Sequence, residues 1–185
     1  MKILAIYGSP KKQGITATIV DTILDSVDET HQVEKIYLYD REFHDCIGCS
    51  DADTIHREKF CTFDDWFREE IIPSINAADV LIISSPVYMG QITGKLKTMF
   101  DRWHTYITPE YSIRILPGKK YIAVTASGAP EDVYKYVSDY LTGWLSDFFK
   151  MGKIAALHVG GMVDSNSLKP DNPVLQQAKE IGEGI

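Results

Sequence analysis

Four short runs of apolar, mostly β-branched residues decide what this chain can become: Ile3 to Tyr7, Val80 to Ser84, Tyr121 to Thr125 and Ile154 to Val159. Each is apolar almost throughout and none alternates with polar residues, which is the pattern of strands covered on both faces in a parallel sheet. A weaker run, Val33 to Tyr39, does alternate and reads as an edge strand. Helical spacing fills the intervals. It runs from Thr16 to Val27, from Asp65 to Ile75, through Leu96, Met99, Phe100 and Trp103 after Ile92, and from Glu131 through Val137, Leu141 and Leu145 to Phe148. A last helix is expected over Pro173 to Ile181, with Pro170 and Pro173 at its entry. Strand and helix alternate, so crossovers are right-handed and the class is α/β. Five strands fit a doubly wound parallel sheet of order 2-1-3-4-5, with helices on both faces. The 185 residues make one domain, 1–185, with a long loop over about 40–64. In such sheets a ligand sits beyond the carboxyl ends of the strands, near the reversal of strand order. The loops after strands one, three and four therefore matter most.

The first of these reads Gly8-Ser9-Pro10-Lys11-Lys12-Gln13-Gly14-Ile15-Thr16. It is not a P-loop, because Ile15 and Thr16 follow Gly14 where Lys and Ser/Thr would stand, and it lacks the Gly-x-Gly-x-x-Gly fingerprint. Backbone N–H groups at a helix start, with the Ser9 and Thr16 hydroxyls, can ring a phosphate, and Lys11 adds charge from the rim. On spacing alone, a plain turn with Thr16 as an early helix residue stands beside that reading. The formal charge of -7 excludes a nucleic-acid partner as the expected ligand. An anion must then be held by local donors against the overall field. No apolar run approaches the ~20 residues of a membrane span. The Met1-Lys2 start shows no signal-peptide pattern, and three cysteines are an odd set for a disulfide framework. A reducing cytoplasm is the expected compartment.

The motif Gly8-Ser9-Pro10-Lys11-x-x-Gly14-x-Thr16 occurs with two others: Ser84-Ser85-Pro86-Val87-Tyr88-Met89-Gly90, and Leu96-Lys97-x-x-Phe100-Asp101-Arg102. Together they resemble the NAD(P)H-dependent FMN reductase branch of the flavodoxin-like superfamily. Ile15 departs from the Asn or Ser usual in relatives, leaving only its backbone N–H as a donor. The resemblance implies a flavodoxin-like fold that binds FMN through Ser9, Lys11, Gln13, Gly14, Ile15 and Thr16, then Pro86, Val87, Tyr88, Met89 and Gly90, and finally Thr125, Ser127 and Gly128. Tyr88 and Met89 would touch the flavin ring, and N–H groups at the start of the Ile92 helix would face its pyrimidine edge. The implied activity passes hydride from NADH or NADPH through FMN N5 to a small-molecule acceptor: a quinone, an azo or nitro aromatic, or free flavin. No side-chain acid is required, and no catalytic residue is assigned. A flavodoxin-type electron carrier and an iron–sulfur or thiol redox protein are the alternatives. The aromatic residues Tyr134, Tyr136, Tyr140, Trp144 and Phe148 exceed what one helix needs for its core. They suggest a face for a homodimer or higher homo-oligomer, with core packing as the other reading.

Cys46-Ile47-Gly48-Cys49, with Cys61 further on, resembles the cysteine-rich loop of iron–sulfur flavoproteins and their cluster-free cousins. The position three residues after the second cysteine is Ala52, and a cubane cluster takes four thiolates where this chain has three cysteines. No metal is expected, although His44 and His56 are nearby in sequence. Thioredoxin-like chemistry places its Cys-x-x-Cys at a helix N-terminus, and this one falls inside a loop. Thr62-Phe63-Asp64-Asp65 reads as a capping box opening the Trp66 helix. His104 and His158 fall inside expected elements and read as structural. There is no Ser/His/Asp triad signature and no His-Glu-x-x-His.

Overall fold

The computed structural model describes residues 1–49, 60–108 and 110–185. Five parallel strands, β1 (Lys2–Tyr7), β2 (Gln32–Tyr37), β3 (Val80–Pro86), β4 (Lys120–Ala126) and β5 (Gly152–Val159), form one sheet in the order β2-β1-β3-β4-β5. The order in which strands are added reverses between β1 and β3, which pair in parallel, Ile3 with Val80 and Tyr7 with Ser84. Successive side chains of a strand leave on opposite faces. Ile3, Ala5 and Tyr7 therefore pack against α1 (Ile15–Leu24) and α5 (Pro173–Glu183). Leu4 and Ile6 pack against α2 (Ile72–Ala77), α3 (Gly94–Asp101) and α4 (Glu131–Gly143). Both faces of β1, β3 and β4 are closed, which is why these strands contain no polar alternation.

The two outer strands differ from that pattern. β2 sits at one edge, as its alternation implied. β5 is the other edge, and its first half is open: Gly152, Lys153 and Ile154 are exposed. The expectation that this run is covered throughout fails because no strand lies beyond it in the sheet.

Helix ends also differ from the periodicity. Pro73 has no N–H to donate to the preceding turn, and the chain takes a wide π-type turn over Phe67–Ile71 before α2. The cap is Asp65, not Thr62: the Arg68 N–H donates to Asp65 Oδ1 at 3.3 Å. α3 tightens into a 3-10 turn at Arg102–Tyr106, and α4 widens into a π-type turn at Trp144–Phe148. α5 begins where the prolines indicated, with the Asn172 side chain accepting from the Val174 N–H at 3.0 Å.

The loop after β5 is pressed onto the start of α4 at Gly160. A Cβ built there would lie 2.2 Å from Glu131 N and 2.4 Å from Glu131 Cα. Gly160→Ala should lower the unfolding free energy by ~1–3 kcal/mol, the usual cost of overpacking against backbone. Gly94→Ala, at a helix start with nothing within 4 Å of its Cβ, should be neutral or mildly stabilising. Urea denaturation of the two variants checks the contrast, and equal midpoints would contradict the packing difference.

Candidate functional site

The chain leaves β1 through Gly8, whose N–H donates to the Ser84 carbonyl at 2.8 Å. There is no room for a side chain, since a Cβ would meet that same oxygen at 2.6 Å. The loop then turns on Ser9, whose Oγ accepts from the Lys11 N–H at 3.1 Å, and on the Gly14 N–H, which donates to the Lys11 carbonyl at 3.2 Å. Gly14 precedes α1 in extended backbone and offers no side-chain cap. The first helical bond is donated by Thr18 to Gly14, so the N–H groups of Ile15, Thr16 and Ala17 have no helical acceptor. α1 has no acidic residue in its first turn. Ser9 and Thr16, both buried, place their hydroxyls beside this end.

After β3, Tyr88 and Gln91 exchange backbone hydrogen bonds at 2.9 and 3.0 Å. The two residues between them, Met89 (φ 50) and Gly90 (φ 73), take the left-handed conformations of a tight reversed turn. Thr93 then joins this segment to the first loop. Its hydroxyl donates to the Gly8 carbonyl at 2.6 Å and accepts from Leu96 N, and its own N–H donates to Ser85 Oγ at 3.0 Å.

The loops after β4 and β5 are stitched by backbone bonds: Ser127 N–H to Val159, Met162 N–H to Ser127 and Gly161 N–H to Ala129. A cleft with about 150 Å³ of room opens among all four loops. Of the residues expected there, Ser9, Lys11, Gly14, Ile15, Thr16, Pro86, Val87, Tyr88 and Gly128 line it. Ala126 and the segment Met162 to Ser165 line it too, and the sequence reading missed them. Gly160-Gly161 directly after a strand was the signal that could have found that segment, because paired glycines mark a tight turn or a close backbone approach.

Five expected residues lie elsewhere. Gln13 points to solvent and Met89 is fully exposed at the tip of its turn. Gly90 is buried against α4, where its carbonyl accepts from Tyr136 at 2.8 Å. Ser127 donates to the Ala129 carbonyl at 3.1 Å. Thr125 is buried in the sheet, 2.8 Å from His158 Nδ1, and so serves the β4–β5 pairing. The donors expected at the Ile92 helix are partly committed, since the Thr93 hydroxyl takes the Leu96 N–H and the first helical bond runs from Lys97 N–H to the Thr93 carbonyl. The helix starts at Gly94, Thr93 caps it, and Tyr88 and Gln91 spend their N–H groups on each other.

A family model described as NADPH-dependent FMN reductase matches residues 1–160. The chain belongs to that family. Among curated proteins it is similar to an iron-sulfur flavoprotein of Archaeoglobus fulgidus, 27% identical over 145 residues, covering 78% of this chain and 64% of the relative. It is also similar to an iron-sulfur flavoprotein of Methanocaldococcus jannaschii, 36% identical over 103 residues, covering 55% and 51%. The chain thus spans between about half and two thirds of the length of these relatives. An FMN-dependent NADH-azoreductase from Bacillus anthracis, solved in complex with FMN, shares the fold with a TM-score of 0.65 at 16% identity, covering 100% and 97%.

The relatives' iron–sulfur cluster does not fit these residues. Cys46, Cys49 and Cys61 line one cavity, but its volume is about 10 Å³, the space of a single water. Cys61 is buried and its sulfur accepts from Arg102 Nη2 at 3.0 Å. Arg102 is itself clamped by Asp65 Oδ1 at 3.0 Å and Oδ2 at 2.5 Å. Burial pushes the Asp65 carboxyl up, but the Arg102 hydrogen bond and charge outweigh it and the net direction is down. Among the described residues no group of three or more Cys, His, Asp or Glu could hold a metal ion. Ala52 and His56 lie outside the described residues.

His158 supplies a pH signature. Burial lowers its pKa from 6.5, against the raising effect of Glu131. The folded state therefore holds it neutral, while the unfolded chain takes up the proton first. Its contribution to stability is present above the unfolded value and is lost as pH falls below about 6.5. Urea midpoints measured from about pH 7.5 to pH 5.5 should decline, and His158→Gln should flatten that decline. An unchanged slope in the variant would remove His158 as its cause.

Proposed function

We propose that the chain binds FMN in the four-loop cleft and acts as an NAD(P)H-dependent oxidoreductase on a small-molecule acceptor such as a quinone, an azo or nitro aromatic, or free flavin. The observation that carries this reading is the uncapped end of α1, with the N–H groups of Ile15 and Thr16 and two buried hydroxyls on residues that line one cleft. That donor set matches a phosphate dianion, and a helix N-terminus adds favourable partial charge. The named activities of the similar proteins and the family match support the flavin assignment.

Ser9, Thr16 and the N–H groups of Ile15 and Thr16 would hold the phosphate. Lys11 would face it from the rim, where it is exposed. Pro86, Val87, Tyr88, Ala126, Gly128, Met162 and Val163 would line the ring. FMN supplies hydride acceptance from a nicotinamide and its transfer onward. The chain's own work is to place the ring and keep one face open. Val163 and Tyr88 are exposed beside the cleft, 78% and 45%, and offer apolar contact to a second planar molecule. We place the protein in the reducing cytoplasm, consistent with cysteines that form no disulfide.

Purified protein should be yellow and release FMN on denaturation. Rapid mixing with NADPH or NADH should bleach the flavin band. Colourless protein that fails to take up added FMN would sink the reading, and a bound but inert flavin would favour an electron carrier. Ser9→Ala and Thr16→Val should each weaken FMN binding about 10- to 100-fold, since a hydrogen bond to a charged group is worth roughly 1.5–3 kcal/mol. Fluorescence titration of the apoprotein measures it.

We also propose a homodimer through α4. Tyr134 and Tyr140 pack on the core, but Tyr136, Trp144 and Phe148 remain 50%, 39% and 38% exposed, and Val133 47%. Gly143 leaves a shallow, open apolar depression between Trp144 and Phe148, a surface that a second copy of the same face could cover in an isologous contact. Light scattering should give twice the chain mass, and Trp144→Lys should give the monomer. Monomeric wild-type protein would rule the dimer out.

A further inference from the structure

We infer that Cys46 and Cys61 form a thiol pair that exchanges with low-molecular-weight disulfides, in place of the cluster chemistry named for the relatives. The pair does not depend on the flavin assignment. Three thiols from two separate segments border a single water-sized cavity, together with Phe60, Phe63, Arg102 and Thr105. Their exposures divide the labour. Cys46 is exposed, Cys49 is half-buried and Cys61 is buried, so an external disulfide meets Cys46 first. The chain reverses after it at Gly48, with φ 62, which brings Cys49 back to the same cavity.

Arg102 ties the two segments together. It donates to Cys61 Sγ from Nη2, and from Nη1 to the His44 carbonyl at 3.1 Å, two residues before Cys46. The guanidinium contact fixes the Cys61 sulfur at the cavity, where it stands as the second nucleophile. Two further polar atoms on residues that line the cavity, Arg102 Nε and Thr105 Oγ1, are buried with no hydrogen-bond partner among the described residues.

The chemistry balances as thiol–disulfide exchange. Cys46 loses its proton and attacks one sulfur of an external disulfide. A Cys46 mixed disulfide forms and one small thiol leaves. Cys61 then attacks the Cys46 sulfur, the Cys46–Cys61 bond forms, and the second small thiol leaves. Two protein thiols are oxidised and one external disulfide is reduced to two thiols. The product joins the segments that Arg102 holds together in the reduced state.

Oxidised glutathione is the probe. The thiol titre of the protein should fall from three to one, and peptide mapping should find Cys46–Cys61. Cys49→Ser should still form the bond. Cys61→Ser should stop at the mixed disulfide on Cys46, Cys46→Ser should react slowest, and Arg102→Lys should make the Cys46 mixed disulfide accumulate. A titre of three after incubation, a bond mapped to Cys46–Cys49, or stoichiometric iron and sulfide in anaerobically purified protein would each overturn the inference. The same titration on FMN-free protein keeps this test separate from the flavin reading.

Discussion

The structure turns on the contact between the carboxyl ends of β1 and β3, where Gly8 leaves no space between two loops. Its N–H binds the end of β3 and its carbonyl takes the Thr93 hydroxyl. One residue without a side chain thus fixes the phosphate-type loop to the start of α3. A side chain at Gly8 would push Ser84 away and separate the loops that make the cleft. The other features of the site depend on this contact. The loop after β1 can turn tightly only because its first residue is locked, and the turn at Tyr88 to Gln91 can project outward only because Thr93 anchors its downstream end.

The helix ends set α1 apart from the others. Thr93 caps α3, Asn172 caps α5, and Asp164 caps the short turn at Ser165–Ser167 with its own carboxylate. α4 has no side-chain cap, but Glu131 and Asp132 stand in its first turn and answer its positive end. α1 has neither device. It is an end left open beside buried hydroxyls, in a chain that caps or charges these other helix ends, and its N–H groups are free to meet an acceptor from outside the fold. The net charge of -7 sharpens the contrast. Local donors must do what the global field opposes, and they are backbone donors, which cannot titrate away.

Much of this was legible in the sequence because it rests on burial. Strands covered on both faces read as unbroken apolar runs, and the order of the sheet came from their alternation with helices. Expectations that failed did so for local reasons. Ile154 is apolar yet exposed, because composition cannot tell a central strand from the last one. Thr125 and Gly90 sit in the right loops but face neighbours in the fold, His158 and Tyr136, that no spacing rule predicts. Met162 to Ser165 went unseen because the loop after β5 reaches the cleft through three backbone bonds, and backbone bonds leave no residue-type signal.

Arg102 shows the same limit from the other side. Resemblance groups it, as part of Phe100-Asp101-Arg102, with the flavin-binding motifs, yet it lies at 2% exposure under the cysteine loop. A guanidinium buried this far costs several kcal/mol to desolvate unless its donors are matched. Here both Nη groups are matched, by the Asp65 carboxylate, the His44 carbonyl and the Cys61 sulfur, with the Phe67 ring 4.2 Å below, and only Nε has no partner among the described residues. Each partner comes from a different stretch: the turn that leads into α2, the loop before Cys46, and the far side of that loop. A single cation therefore sets where three otherwise unrelated segments meet. The positions of Cys46 and Cys61 are a consequence of that charge balance, since any loop arrangement that pulled Cys61 or Asp65 away would leave a buried charge without its partners.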